Sequence, residues 1–197
     1  MKKPDKLFLA SGNGDKITEF RQILRSLEIE LTSTLDLEAS EEVDEDQPTL
    51  EGNALKKARF WKEKTGLPAL SDDTGLEVDA LGGAPGVFSA RYAGEQVTYE
   101  ENVRKLLEDL RGAENRKARF RTVIALVGEE EWLFEGVCEG VILDASRGQG
   151  GFGYDPVFLP DGSEQTFAEM SSSEKNAISH RGRALQEFMS FLRSETG

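Results

Sequence analysis

Two adjacent carboxylates, Asp72 and Asp73, occupy the segment Ser71-Asp72-Asp73-Thr74-Gly75, which has apolar residues on both sides. Burying such a pair sets like charges against each other and strips both of water. Hydrogen bonds, a cation or a metal ion must then compensate them. In an extended chain neighbouring side chains point to opposite faces, so one metal takes one carboxylate and leaves the other to hydrogen-bond loop backbone. An ordinary Asp-Gly turn uses the same residue types. The apolar flanks favour a metal-binding or catalytic role.

Four other segments group residues that bind rather than pack. Ser11-Gly12-Asn13-Gly14-Asp15-Lys16 falls between an apolar run and a helical pattern. Its small residues let backbone N–H groups approach an anion, the helix N-terminus adds a favourable dipole, and Lys16 brings positive charge to a phosphate. No G-K-[ST] closes it, so it is not a Walker A loop, and a plain strand-to-helix turn fits it as well. Leu81 to Arg91 holds Gly82-Gly83-Ala84-Pro85-Gly86, a conformationally restricted loop, and ends at Arg91, which either reaches phosphate or stays at the surface. In Gly148 to Pro156, four glycines within six residues let backbone come close to a ligand, and Phe152 offers a face for a base. Ser171 to Gly182 carries Lys175, Ser179, His180 and Arg181. Their N–H groups suit keto oxygens and phosphates, and Ser179 equally suits a helix N-cap.

The elements that must position these segments show in the hydrophobic spacing. Lys6 to Ala10 reads as a short strand, followed by a helix with Ile17, Phe20, Leu24 and Leu27 on one stripe and a further strand near Ile29, a β-α-β unit. A second helix starts near Thr49, after Pro48, with Leu50, Ala54, Ala58 and Trp61 along one side. Thr98 and Glu101 make a capping box for a third, which buries Val103, Leu106, Leu107 and Leu110. Leu185, Phe188, Met189 and Leu192 mark a last helix. Ala69 to Leu81 contains a strand, and Phe120 to Val127 pairs antiparallel with Trp132 to Leu143 around Gly128 to Glu131. These elements predict a mixed sheet with helices packed on it, an α/β or α+β fold, and 197 residues suit a single domain.

Composition removes whole classes of function. With 24 Lys and Arg against 37 Asp and Glu, the net charge of −13 repels polyanions, which argues against nucleic-acid binding. From Glu28 to Glu51 ten acidic residues occur with no basic one, mostly a solvated face; composition does not say which of them binds metal. One histidine and one cysteine exclude a zinc site of His/Cys type and an internal disulfide. A Ser-His-Asp relay built on GxSxG is likewise excluded. With no apolar run long enough for a signal peptide or a membrane span, the sequence predicts a cytoplasmic protein with no membrane partner.

Taken in order, Ser-Gly-Asn-x-x-Lys, Ser-Asp-Asp-Thr-Gly, Gly-Gly-Ala-Pro-Gly-Val-Phe-Ser-Ala-Arg-Tyr, Gly-Gly-Phe-Gly-Tyr-Asp-Pro and Ser-His-Arg-Gly resemble the inosine triphosphate pyrophosphatase family from about Leu7 to about Leu185. That resemblance implies an elongated mixed sheet whose flanking helices form two lobes around a central cleft, and a homodimer. It implies Mg2+-dependent hydrolysis of ITP, dITP and XTP to monophosphate and pyrophosphate, cleaning the nucleotide pool. Carried onto this chain, Ser11, Gly12, Asn13, Gly14, Asp15 and Lys16 hold the triphosphate, with Lys57 and Arg91 as helpers. Asp73 is the proton acceptor and a magnesium ligand, Glu45 the second acidic metal position, and Thr74 a substrate contact. Phe152, Gly153, Tyr154 and Asp155 form the base pocket, completed by Lys175, His180 and Arg181. Gly52 departs from the pattern, which has Glu before Asn53, and so bears on any secondary metal contact there. A pyrophosphatase for other modified nucleotides, or a non-catalytic nucleotide sensor, are the alternatives; the sensor has no need of Asp73 and Glu45.

Overall fold

Strand β1 (Lys6–Leu9) buries Leu7, Phe8 and Leu9 and runs parallel to β2 (Glu30–Ser33), with Leu7 opposite Leu31. Parallel neighbours need a crossover. Helix α1 (Gly14–Leu24) supplies it and buries Ile17, Phe20 and Leu24; a 3-10 turn over Arg25–Leu27 still buries Leu27. The expected β-α-β unit is therefore present. The computed structural model describes residues 4–37 and 41–194. Glu38 of the acidic run and both chain ends lie outside the described residues.

Helix α2 (Leu50–Thr65) begins where the Thr49 side chain accepts from the Gly52 N–H. It ends at Gly66, whose left-handed φ of 70° returns its N–H to Lys62. Strand β3 (Ala69–Val78) pairs parallel with β1 through Leu9 opposite Leu70, and antiparallel with the two-residue β4 (Pro85–Gly86). It passes straight through Ser71 to Gly75, so that segment is strand and not turn. Helix α3 (Tyr99–Asp109) opens with the expected capping box of Thr98 and Glu101. Strands β5 (Lys117–Val127) and β6 (Glu131–Ile142) follow, joined by the short link at Gly128 to Glu130. Strand β7 (Phe158–Pro160) returns antiparallel to β6, and helices α4 (Ser172–Ile178) and α5 (His180–Ser194) complete the chain.

The strand order is β2-β1-β3-β5-β6-β7, with β4 on β3. Parallel and antiparallel pairs, together with the five α-helices among the described residues, make this the mixed α/β fold that the spacing predicts. Two compact units form. One comprises Met1–Asp73, Thr122–Gly136 and Arg181–Gly197, with a core around Leu9, Phe20, Ile124, Leu185 and Phe188. The other comprises Thr74–Arg121 and Val137–His180, with a core around Leu76, Leu106, Phe120, Phe158 and Phe167. Among the described residues, no helix is long and apolar enough to cross a membrane.

Gly75 shows how tightly β3 is packed in the second unit. A Cβ there would lie 2.8 Å from the Gly86 carbonyl oxygen and 3.0 Å from its carbonyl carbon. Backbone cannot swing aside as a side chain can. Gly75→Ala is expected to destabilise the protein by about 1–3 kcal/mol, seen as a lower urea midpoint at unchanged m-value.

Candidate active site

The loop expected to hold phosphate, Ser11 to Lys16, is built around Asn13. Its side chain caps α1 by accepting from the backbone N–H groups of Asp15, at 3.0 Å, and Lys16, at 3.1 Å, while its own N–H donates to Ser11 Oγ. Thr34 ties the loop to the end of β2 by donating to the Ser11 carbonyl. Gly12, Gly14 and Asp15 are exposed, and Lys16 is half-buried. Its ammonium lies 3.2 Å from Asp72 Oδ2.

Adjacent positions in β3 give the two carboxylates different surroundings. Asp72 is 1% exposed and Arg181 is 1% exposed. Arg181 donates from Nε and a terminal nitrogen to Asp72 Oδ2, both at 3.2 Å, and from its other terminal nitrogen to Glu19 Oε2 at 2.5 Å. Burial alone would raise the Asp72 pKa, but Lys16, Arg181 and Lys57 outweigh it and hold the carboxyl well below its usual range. Asp72 is thus an anion at neutral pH. Asp73 instead accepts from Asn53 Nδ2 at 3.0 Å and lies 3.8 Å from the Lys57 ammonium. Burial, with Glu45 nearby, pushes its pKa up despite Lys57, Lys16 and Asn53.

Lys57 joins this carboxylate to the acidic run. It donates to Glu45 Oε1 at 2.5 Å and to the Asp72 carbonyl at 2.7 Å. Burial opposes its charge, yet Glu45, Asp73 and Asp72 raise its pKa, so it stays protonated. Burial also pushes the Glu45 pKa up, and Lys57 more than reverses that. The loop carrying Glu45 is pinned to α2: the Gln47 N–H donates to Asn53 Oδ1 at 2.9 Å, and Lys56 reaches Asp46 at 2.8 Å. Gly52 belongs to this packing, because a Cβ there would come within 2.8 Å of Gln47 Cβ. A Glu at that position therefore demands a different course for the loop.

Glu45 and Asp73 fit a divalent cation of the magnesium type. Both are oxygen donors, and both already face one positive charge, the Lys57 ammonium. Magnesium typically takes one or two carboxylates and completes its shell with phosphate and water. No group of three or more His, Cys, Asp or Glu able to hold a metal occurs among the described residues, and a site completed by substrate needs none.

Of the residues expected to form a base pocket, all but Arg181 lie in the second unit. Phe152 is half-buried, with the Lys175 ammonium 4.5 Å from its ring centroid. Lys175 donates to Asp155 Oδ2 at 2.7 Å, and the same oxygen accepts from the Phe152 N–H at 2.9 Å. His180 stacks on Phe120 with ring centroids 4.5 Å apart. Tyr154 is buried, and its hydroxyl donates to the Ser89 carbonyl at 2.8 Å. Ser89 Oγ in turn accepts from the Leu76 N–H and donates to the Gly86 carbonyl, so Tyr154 secures the 82–91 loop. In that loop Arg91 lies over the Phe88 ring at 5.2 Å. Gly153 turns with a φ of 62°, and Thr74 is half-buried in β3.

Three findings differ from the sequence reading. Asp72, expected to bond loop backbone, anchors two cations, the buried Arg181 and the half-buried Lys16. The guanidinium of Arg181, expected to face the purine, is engaged by Asp72 and Glu19. Two of the loop glycines serve protein contacts: a Cβ at Gly148 would lie 2.5 Å from the Ala168 carbonyl carbon, and one at Gly151 would collide with the Asp155 carboxylate. Lys175 also sits on a helix, α4, with its own capping box at Ser171 and Glu174, and Ser179 links α4 to α5. Asn53 and Glu19 joined the site unannounced. Both are polar residues in otherwise ordinary helical patterns, and only their buried partners reveal them.

Comparison with known proteins identifies the family. The sequence model of the Ham1 family matches residues 7–191. A dITP/XTP pyrophosphatase from Caldanaerobacter subterraneus subsp. tengcongensis is 50% identical over 192 residues, 95% of this chain and 96% of the relative. Another from Porphyromonas gingivalis is 50% identical over 190 residues, 95% of this chain and 97% of the relative. Among solved structures, a HAM1 protein from Coxiella burnetii superposes with a TM-score of 0.87 at 42% identity, over 96% of this chain and 98% of that one. The Staphylococcus aureus Ham1 protein gives 0.87 at 37% identity, over 96% and 99%. With a family match across nearly its full length and half of its residues shared with such relatives, the chain belongs to the Ham1 family.

Proposed function

We propose that this chain is a nucleoside triphosphate pyrophosphatase that hydrolyses the non-standard purine nucleotides dITP, XTP and ITP to monophosphate and pyrophosphate. The observation that carries this reading is the division of labour along β3: Asp72 is locked between Lys16 and Arg181, whereas Asp73 is held by Asn53 beside Glu45 and Lys57 with its proton affinity raised. The names of the relatives supply the substrate class.

Lys16, Lys57 and Arg181 face four carboxylates, those of Glu19, Glu45, Asp72 and Asp73. Three positive and four negative charges leave this cluster short of the charge that a triphosphate needs. Glu45 and Asp73 would hold a magnesium ion, which supplies that charge and withdraws electron density from the phosphate oxygens. Lys16 and Lys57 bring ammonium groups to the phosphate chain. Asp73 orients a water molecule and accepts its proton as the water oxygen bonds to the α-phosphorus. The bond from the α-phosphorus to the bridging oxygen breaks, and pyrophosphate leaves with the electron pair. A carboxylate held within reach of the attacking water is the proton acceptor that this step requires.

On the base, Lys175 offers only donors, next to the ring of Phe152. The 6-keto oxygen of hypoxanthine or xanthine accepts from such a group, whereas the 6-amino group of adenine leaves it unsatisfied, typically a large penalty. The test is kcat/KM for ITP, dITP, XTP, GTP and ATP with magnesium. The ratio of ITP to ATP is expected to exceed about 10², and equal values would contradict the reading. Chelation by EDTA is expected to abolish turnover. The charge of −13 opposes nucleic-acid partners, the short apolar runs favour the cytoplasm, and a homodimer fits the resemblance; sedimentation equilibrium tests the assembly.

A further inference from the structure

Phe152 sits on a loop that has little reason to hold a shape by itself. Gly148, Gly151 and Gly153 take φ values of 82°, 69° and 62°, and glycine gives up more backbone freedom on ordering than any other residue. A loop that must present an aromatic face to a ligand has to be ordered beforehand, or binding bears that cost. Besides Asp155, whose carboxylate accepts from the Phe152 N–H, the neighbouring segment 164–169 supplies ordering contacts. Gly150 N–H donates to the Ala168 carbonyl at 3.0 Å, and Thr166 Oγ1 donates to the Arg147 carbonyl at 2.9 Å. The approach is so close that Gly148 leaves no space for a Cβ against Ala168.

Arg147, the residue before the glycine run, closes this brace. Its Nε and a terminal nitrogen donate to Glu169 Oε2 at 3.2 and 2.7 Å, and the same terminal nitrogen reaches the Glu164 carbonyl at 2.5 Å. Glu169 Oε2 also accepts from the Thr166 N–H at 2.8 Å. We infer that Glu169 is a positioning residue for the reaction: through Arg147 it fixes the Gly148–Phe152 loop and so sets the affinity for the purine without touching it. Exposed pairs of this kind contribute little to global stability, so the effect belongs to the loop and not to the fold. The inference rests on the reading of Phe152 as the surface that holds the base.

The experiment compares steady-state ITP hydrolysis by the full chain with Glu169→Gln, Arg147→Gln, the double variant and Phe152→Ala. Gln at 169 can still accept from Thr166 but no longer offers charge to Arg147. Each single variant of the pair is expected to raise KM by up to about fivefold, with kcat within about twofold and Tm within about 2 °C. The double variant is expected to match Arg147→Gln, because with Arg147 gone the charge at 169 has no partner left to lose. Phe152→Ala is expected to raise KM at least as much. An unchanged KM in Glu169→Gln beside a raised KM in Phe152→Ala would overturn the positioning role alone. Unchanged KM in both would overturn the base-pocket reading with it. Multiplying effects in the double variant, or a loss of kcat or Tm in place of the KM change, would also refute the latch.

Discussion

Asp73→Asn is expected to lose about 10²- to 10⁴-fold in kcat, the usual contribution of a positioned general base, while still binding nucleotide. The substitution keeps the size of the side chain and an oxygen that can accept from Asn53, so geometry survives and only the proton acceptor is lost. The same change should stabilise the metal-free protein. The folded-state pKa of Asp73 is raised, first by burial and then by Glu45, so its ionised form is less comfortable folded than unfolded. Stability is therefore given up as pH climbs above the ordinary carboxylate value, and nothing is lost below it. In EDTA at neutral pH, Asp73→Asn is expected to raise Tm, and the gain should vanish below about pH 3.8. Catalysis and stability then oppose each other at one atom pair, as is common at active sites. Normal kcat in this variant would remove Asp73 from its role, and a lower Tm in EDTA would contradict the account of its environment.

The neighbouring residue gives the opposite result. Asp72→Asn is expected to cost about 3–5 kcal/mol of folding free energy, because it breaks a buried ion pair on one side only. Arg181 is fully buried and would keep Glu19 but lose its contacts to a carboxylate, and Lys16 would lose the partner 3.2 Å away. Here the folded-state pKa is depressed, so the stabilisation is present above the ordinary carboxylate value and is lost as pH falls through the depressed one. The difference in urea midpoint between wild type and Asp72→Asn should be full at pH 7 and shrink below about pH 3.8. A difference that stays constant down to pH 2 would contradict the ion-pair explanation.

Asp72 and Asp73 also show where the sequence stops being informative. The helices carrying Phe20, Trp61, Leu106 and Phe188 are legible because a stripe at helical spacing persists over three or more turns. The strand through Asp73 is legible from its apolar flanks. Helix α4 has seven residues, and strands β4 and β7 have two and three, too few for any period to show. The roles of the two aspartates depend on Lys16, 56 positions before Asp72, and on Arg181, 109 positions after it. Pairings over such distances leave no local trace, which is why Arg181 reads as a free donor until its guanidinium is seen between Asp72 and Glu19. The glycines of the Phe152 loop mislead for a related reason. Close approach is legible in their composition, but the approaching group is Ala168 or Asp155 rather than a ligand.

Breaking the bond next to the α-phosphorus, with Asp73 preparing the attacking water, is the claim from which the rest follows. Hydrolysis of ITP in water enriched in oxygen-18, with magnesium and over a single turnover, reads it directly by mass spectrometry of the products. One labelled oxygen is expected in the inosine monophosphate, and none in the pyrophosphate. Label in pyrophosphate, or in orthophosphate released as the first product, would place the attack on another phosphorus and contradict the mechanism.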